Sequence, residues 1–192
     1  MFDDINFSPL FKGEWALHNN RFAWQSGISL ASPLIFENMT LNFEYMQLRP
    51  YIFSHDGYGE SLTYTNNTYL LGPELDPNSV LFSLSIDYDV SATINLKLFY
   101  DYLQHGNNEY DASGNLIKNF GGSVFEYYRL NDPNFAYLLD GIRETENRFR
   151  LNMNWQIFNG IFFLFNFEHR HNSYDSQKSY NAYSTALNLS LD

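Results

Sequence analysis

The chain has 192 residues, of which 17% are charged and 19% aromatic, with 18 Phe, 15 Tyr, no Cys and a formal net charge of -11. The acidic balance excludes an electrostatic nucleic-acid binder, which would be basic, and the lack of cysteine excludes disulfide and thiolate chemistry. No apolar run approaches the roughly 18 residues of a membrane helix, yet so many aromatics with so little charge are unusual for a surface that faces only water.

Residues 1–20 have no clear period and read as an irregular lead-in in which Trp15 and Leu17 could join a short strand. Met1 to Leu10 is acidic where a signal peptide would be basic, so the expectation is a processed chain or the C-terminal part of a longer one. From Arg21 to Ala31, Phe22, Trp24, Ile28 and Leu30 alternate with Arg21, Ala23, Gln25, Gly27 and Ser29. A period of two places these sets on opposite faces of a strand. After a turn at Ser32 to Asn38, Met39 to Phe53 sets Met39, Leu41, Phe43 and Tyr45 against Thr40, Asn42 and Glu44, weakening at Arg49-Pro50, where proline cannot donate to a ladder.

A long connection at 54–79, rich in Gly, Asn, Tyr and Pro, leads to Val80 to Asp89, with Phe82, Leu84, Ile86 and Tyr88 on the apolar face. A tight turn at Val90 to Ala92 precedes Thr93 to Leu103. The longest connection, 104–143, carries turn signals at Gly106-Asn107-Asn108, Ser113-Gly114-Asn115 and Gly121-Gly122, with room for a small hairpin or a helical turn around Phe135 to Leu139. Asn147 to His171 is the clearest hairpin. Phe149, Leu151, Met153, Trp155 and Ile157 alternate with polar residues, Ile161, Phe163, Phe165 and Phe167 continue that face, and Asn159-Gly160 suits a type I′ turn. A loop from Asn172 to Ser179 and a last strand, Tyr180 to Leu191, complete the pattern.

These strands run near the roughly nine to eleven residues that a tilted strand needs to cross a bilayer, and their connections alternate short and long, as in outer-membrane barrels. The expected fold is all-β: an antiparallel up-and-down transmembrane β-barrel of about seven to eight strands, a single domain over 1–192 or the C-terminal part of a larger barrel. Seven strands alone would leave edges unsatisfied in lipid, so either residues before Asn20 add an eighth or the barrel is larger. A soluble lipocalin-like barrel has the same alternation turned inside out. Sparse charge on the polar face, long strands and aromatics near strand ends favour the membrane.

Asn20 to Gly27 (Asn-Arg-Phe-Ala-Trp-Gln-Ser-Gly), Glu44-Tyr45, Arg49-Pro50-Tyr51-Ile52-Phe53-Ser54-His55, Leu71-Gly72-Pro73 and Asp76-Pro77-Asn78-Ser79 together resemble the C-terminal half of the Wzi-type capsule assembly family. The likeness runs over about 20–88, with Gln25, Glu44, Tyr45, Pro50, Tyr51, His55, Gly72 and Asn78 at motif positions. It departs from the family in Arg21, which stands for a lysine, in Asp76, and in an end without a terminal aromatic. The resemblance implies an outer-membrane barrel at the bacterial cell surface that holds surface polysaccharide as a lectin, with lipid and glycan as partners, no cofactor and no catalysis.

The residues themselves point to two sets of candidates. Tyr58, Tyr64, Asn66, Tyr69, Tyr110, Tyr127 and Tyr128 lie in the long loops, where aromatic faces and amides suit glycan binding and equally suit loops that pack on themselves. Glu44, Lys97, Asp101, Arg148, Arg150, Glu168 and Arg170 share the polar face, as lumen-facing ion pairs or a charged constriction. His169 and His171 beside Glu168 lack the further ligand a metal site needs. His55, Asp56 and Ser61 lack the context of a hydrolytic triad. The expectation is a non-enzymatic polysaccharide-binding barrel, with a porin-like channel and a soluble binding barrel as alternatives.

Overall fold

The computed structural model describes residues 2–4, 11–33, 36–55, 64–67, 69–73 and 75–189. Its main element is an antiparallel sheet formed by β1 (Phe2–Asp4), β2 (Arg21–Ala31), β3 (Met39–Leu48), β6 (Ser79–Ser91), β7 (Ile94–Asn107), β10 (Ile142–Phe158), β11 (Ile161–Asn172) and β12 (Tyr180–Leu189). Seven strands are long, and β1 adds three residues beside Arg21 and Phe22. The order of strands in the sheet is their order in the chain. Among the described residues β12 does not pair with β1, so the sheet is not closed into a barrel. Two short hairpins, β4 (Thr65–Asn66) with β5 (Tyr69–Leu70) and β8 (Glu109–Tyr110) with β9 (Leu116–Lys118), lie in the long connections.

The period-two pattern agrees with the faces that the register brings together. In β10 to β12, Leu151 faces Phe167 and Phe167 faces Tyr183, while Trp155 faces Phe163 and Phe163 faces Leu187. A slip of one residue would reverse every one of these side chains. The strand from Arg21 to Ala31 has the expected bounds, whereas β3 stops at Leu48 rather than Phe53. Pro50 offers no donor there, and Tyr51 and Phe53 take φ of 61° and 68°, which turns the chain back. The Asn159-Gly160 turn is also not type I′: only Gly160 has positive φ, at 74°, and the register slips between Gln156 and Phe158. A type I′ turn needs positive φ at both central residues. Around Phe135 to Leu139 there is an isolated bridge from Leu17 to Phe135 and a turn in place of a helical turn. Among the described residues no helix is long and apolar enough to cross a membrane, which says nothing of strands.

Contacts divide the chain into two units. The loop unit comprises 1–25, 46–80 and 104–144, and the strand unit 26–45, 81–103 and 145–192. All the buried apolar residues among those described belong to the loop unit: Ala16, Met46, Leu48, Tyr51, Ile52, Phe53, Leu75, Val80, Val124 and Ala136. Among its described residues the strand unit buries only Glu146 and Asn172. Many of its large apolar side chains stay exposed, including Ile28 at 63%, Phe43 at 45%, Leu84 at 37% and Leu187 at 62%, and others are half-buried.

Candidate functional site

The loop unit is held by polar side chains that stand in for secondary structure. Asn78, buried at φ 60°, donates through Nδ2 to the carbonyls of Gly106 (2.8 Å) and Asp140 (2.9 Å) and accepts from the Leu139 N–H (2.6 Å). Asparagine tolerates this left-handed backbone better than other non-glycine residues. Asn108 Oδ1 accepts the N–H groups of Phe120 (2.8 Å) and Gly122 (3.1 Å). Asn119 donates to the Tyr127 carbonyl (2.9 Å) and Asp132 Oδ2 (3.2 Å), and its own carbonyl accepts from the Tyr51 hydroxyl (3.1 Å). A Cβ at Gly121 would lie 2.6 Å from the Tyr51 nitrogen, so only glycine allows Tyr51 to seat there. Apart from the Asn119–Asp132 side-chain pair, each of these hydrogen bonds satisfies a backbone group that burial would otherwise leave unpaired.

Residues 15–20 are latched onto this core. The Ala136 N–H donates to the Ala16 carbonyl (2.7 Å), the His18 N–H to the Asn134 carbonyl (3.0 Å), and Arg49 Nη2 reaches the carbonyls of Trp15 and Ala136. The His18 ring stacks on Tyr128 with centroids 3.6 Å apart and meets the Tyr51 ring edge-on. Arg21 donates to the Ser54 and His18 carbonyls. Burial lowers the His18 pKa below its ordinary value, and the nearby Arg21 charge acts in the same direction, against a hydrogen bond from the His18 ring to the Asn134 carbonyl. Burial, with the Asp132 charge behind it, pushes the Tyr51 phenol well above its ordinary value.

Against this scaffold lies a cleft of about 440 Å³ lined by Ile117, Lys118, Arg129, Asn131, Asp132 and Pro133. Leu116 to Lys118 in β9 form one wall and Arg129 to Pro133 the other. Arg129 Nη1 ties them by donating to the Leu116 carbonyl (3.3 Å). Its Nε and Nη2 hold Asp132 at 3.1 and 2.8 Å. The hydrogen bond to Asp132 raises the Arg129 pKa above its ordinary value. The Lys118 ammonium sits 4.5 Å from the Phe120 ring centroid, a cation–π contact that positions it.

Within the strand unit the polar face carries a hydrogen-bonded belt. Asn42 donates to Ser85 (3.1 Å), Ser83 to Asp101 (2.6 Å), Arg150 to Asp101 (3.0 Å) and Asn166 to Ser184 (3.2 Å). Lys97 pairs with Asp87 at 2.7 Å. Arg148 and Arg170 are direct cross-strand partners, a repulsive placement that Glu146 resolves by accepting from both, at 2.9 and 2.6 Å. Asn172 Nδ2 completes the same carboxylate at 3.3 Å.

Compared with protein-family models, curated proteins and solved structures, the chain matches none.

Of the expected loop residues, Tyr64 stacks on Phe53 at 5.2 Å and Tyr128 on His18, so both rings are engaged in packing. Asn66 and Tyr69 face each other across the β4–β5 hairpin, and Tyr69 is 78% exposed. Tyr110 and Tyr127 are exposed but do not line the cleft. Tyr58, like Asp56 and Ser61, lies outside the described residues. Of the motif positions, Pro50, Tyr51 and Asn78 are buried, His55 is half-buried, and Gln25 and Gly72 are exposed. In the strand unit, Glu44 backs onto Gly27 of β2, and the Tyr45 ring lies 4.8 Å from that of Phe82.

Glu168 accepts from Tyr180 (2.7 Å), and His169 Nδ1 shares a hydrogen bond with Asn181 Oδ1 (2.7 Å). Among the described residues no group of three or more His, Cys, Asp or Glu could hold a metal ion.

Sequence reading missed Lys118, Arg129 and Asn131, because the cleft joins segments more than ten residues apart with no motif between them. It also passed over Glu146, although the alternation through Arg148 and Arg150 places Glu146 on the same face.

Proposed function

We propose that the protein is an outer-membrane β-barrel whose strands cross the bilayer and whose loop unit binds or anchors capsular or exopolysaccharide at the cell surface, without catalysis. The observation that carries this reading is where burial falls. Soluble monomers rarely leave broad apolar patches in water, yet the strand unit leaves many of its apolar side chains exposed and buries only Glu146 and Asn172 among its described residues. Lipid is the solvent that suits such a face. The neighbour-to-neighbour strand order and the strand lengths of 10–17 residues in β2, β3, β6, β7, β10, β11 and β12 support the same reading. The resemblance to the Wzi-type capsule assembly family points to polysaccharide as the ligand. A loop unit with its own packed core is a rigid platform on which exposed side chains can be presented.

Leu84→Arg tests the membrane placement. On a lipid-facing strand an arginine costs about 2–4 kcal/mol at the bilayer midplane, and assembly into lipid vesicles should fall accordingly. On an exposed strand of a water-soluble protein the same change would stay within about 0.5 kcal/mol. Unchanged folding in detergent-free buffer, with a soluble monomer, would sink the membrane reading.

The row of Arg150–Asp101 and Arg148–Glu146–Arg170 pairs favours a second reading, a porin-like channel with a charged wall. Planar-bilayer recordings separate the two. An anchoring barrel without an open lumen should be silent, and a steady open conductance would favour the channel.

A further inference from the structure

We propose that the cleft between Leu116–Lys118 and Arg129–Pro133 binds a sugar residue carrying an anionic group, carboxylate or phosphate, so that the loop unit selects acidic over neutral glycan. The inference rests on the glycan-binding reading above and deepens it. At about 440 Å³ the cleft falls in the range of small-ligand sites, roughly 300–1,000 Å³. Ile117 and Pro133 offer apolar surface to the C–H face of a pyranose, and the exposed Asn131 offers an amide to its hydroxyls.

The charges decide the class of sugar. The Asp132 side chain is only 4% exposed, and its carboxylate is taken up by the Arg129 backbone N–H, the Arg129 guanidinium and Asn119. It therefore neutralises Arg129 without presenting an acceptor to a ligand. The Arg129 side chain remains 39% exposed, with N–H capacity beyond its bonds to Asp132 and Leu116. Lys118 forms no ion pair among the described residues and is held beside the cleft by Phe120. Glu109 stands opposite Lys118 across β8 and β9 and the Glu126 charge acts on Arg129, yet among the described residues neither forms an ion pair with these cations, so the Lys118 ammonium meets the cleft with no carboxylate in contact. A ligand's carboxylate or phosphate would be its counter-ion. Charge-assisted hydrogen bonds of this kind are roughly twice as strong as neutral ones.

The test uses the whole chain in detergent micelles on an array of neutral, uronate-bearing and phosphate-bearing oligosaccharides. Each acidic glycan is paired with its carboxyl-reduced or dephosphorylated counterpart, which separates the two sources of charge. The best ligands should be acidic, and their neutral counterparts should bind about tenfold more weakly. Lys118→Gln should remove most of that preference and Lys118→Arg should keep it. Lys12→Gln, the same charge change elsewhere in the loop unit, should leave binding as it was. Neutral counterparts that bind equally well, or a preference that survives Lys118→Gln, would overturn this site and leave the glycan-binding reading standing. No binding to any glycan on the array would overturn both.

Discussion

The loop unit and the strand unit of this chain use opposite rules of burial. In the loop unit, segments with little regular secondary structure bury Leu48, Tyr51, Ile52 and Val124 together with Asn78, Asn108 and Asn119. In the strand unit, long regular strands carry exposed phenylalanines and leucines, and among the described residues those removed from solvent are Glu146 and Asn172. Strands satisfy their own backbone by pairing, so their side chains are free to suit whichever solvent meets each face. Irregular loops cannot do this. Their carbonyl and N–H groups need side-chain partners, and buried asparagines, with a donor and an acceptor each, supply them.

The comparison predicts that the loop unit breaks through its asparagines. Asn78→Ala should be the most damaging change, because it strips three buried hydrogen bonds and removes a residue suited to φ 60°. At roughly 1–1.5 kcal/mol each, the loss is about 4 kcal/mol. Hydrogen exchange should then report opening of 104–144 while the amides of β11 stay protected.

In the strand unit, Glu146→Gln should cost about 3 kcal/mol, since it leaves Arg148 and Arg170 opposed with their shared counter-ion gone. Denaturant titration would show it, and pairing with Arg170→Gln should recover part of the loss. Tyr51→Phe removes one hydrogen bond to Asn119 and should cost about 1 kcal/mol by the same assay.

The smallest effect sharpens the contrast through pH. The folded His18 binds its proton less readily than the unfolded residue, whose value is near 6.5. Stability of the loop unit should therefore be full above that pH and decline as pH falls below it. Tyr51 has the opposite sense: its folded phenol resists ionisation, so stability should fall as pH rises above the unfolded value of 10.0. His18→Gln should flatten the acid limb and leave the alkaline limb in place, as followed by thermal melts across pH. An acid limb that persists in His18→Gln would assign it to other groups.

Much of the sheet was legible because a strand writes its two faces into alternate residues. Arg21 to Ala31 was delimited to the residue, and the facing of Phe167 with Leu151 and Tyr183 follows from the same alternation. The strand after Met39 was over-extended because Tyr51 and Phe53 look like strand residues, whereas both take positive φ and Tyr51 seats against Gly121. The tyrosines drew attention as ligand-binding residues, but Tyr64 and Tyr128 are stacked within the fold. Lys118 and Arg129, which carried no motif, share the cleft.

By itself the sequence determined the long strands, their two faces and the alternation of short turns with long loops, because those depend on local periodicity. Only the tertiary structure decided which loop residues are buried, which asparagines serve the backbone and where a cleft opens. Those outcomes depend on contacts between segments far apart in the chain, such as Asn78 with Gly106 and Asp140, or Tyr51 with Asn119. No local pattern records them.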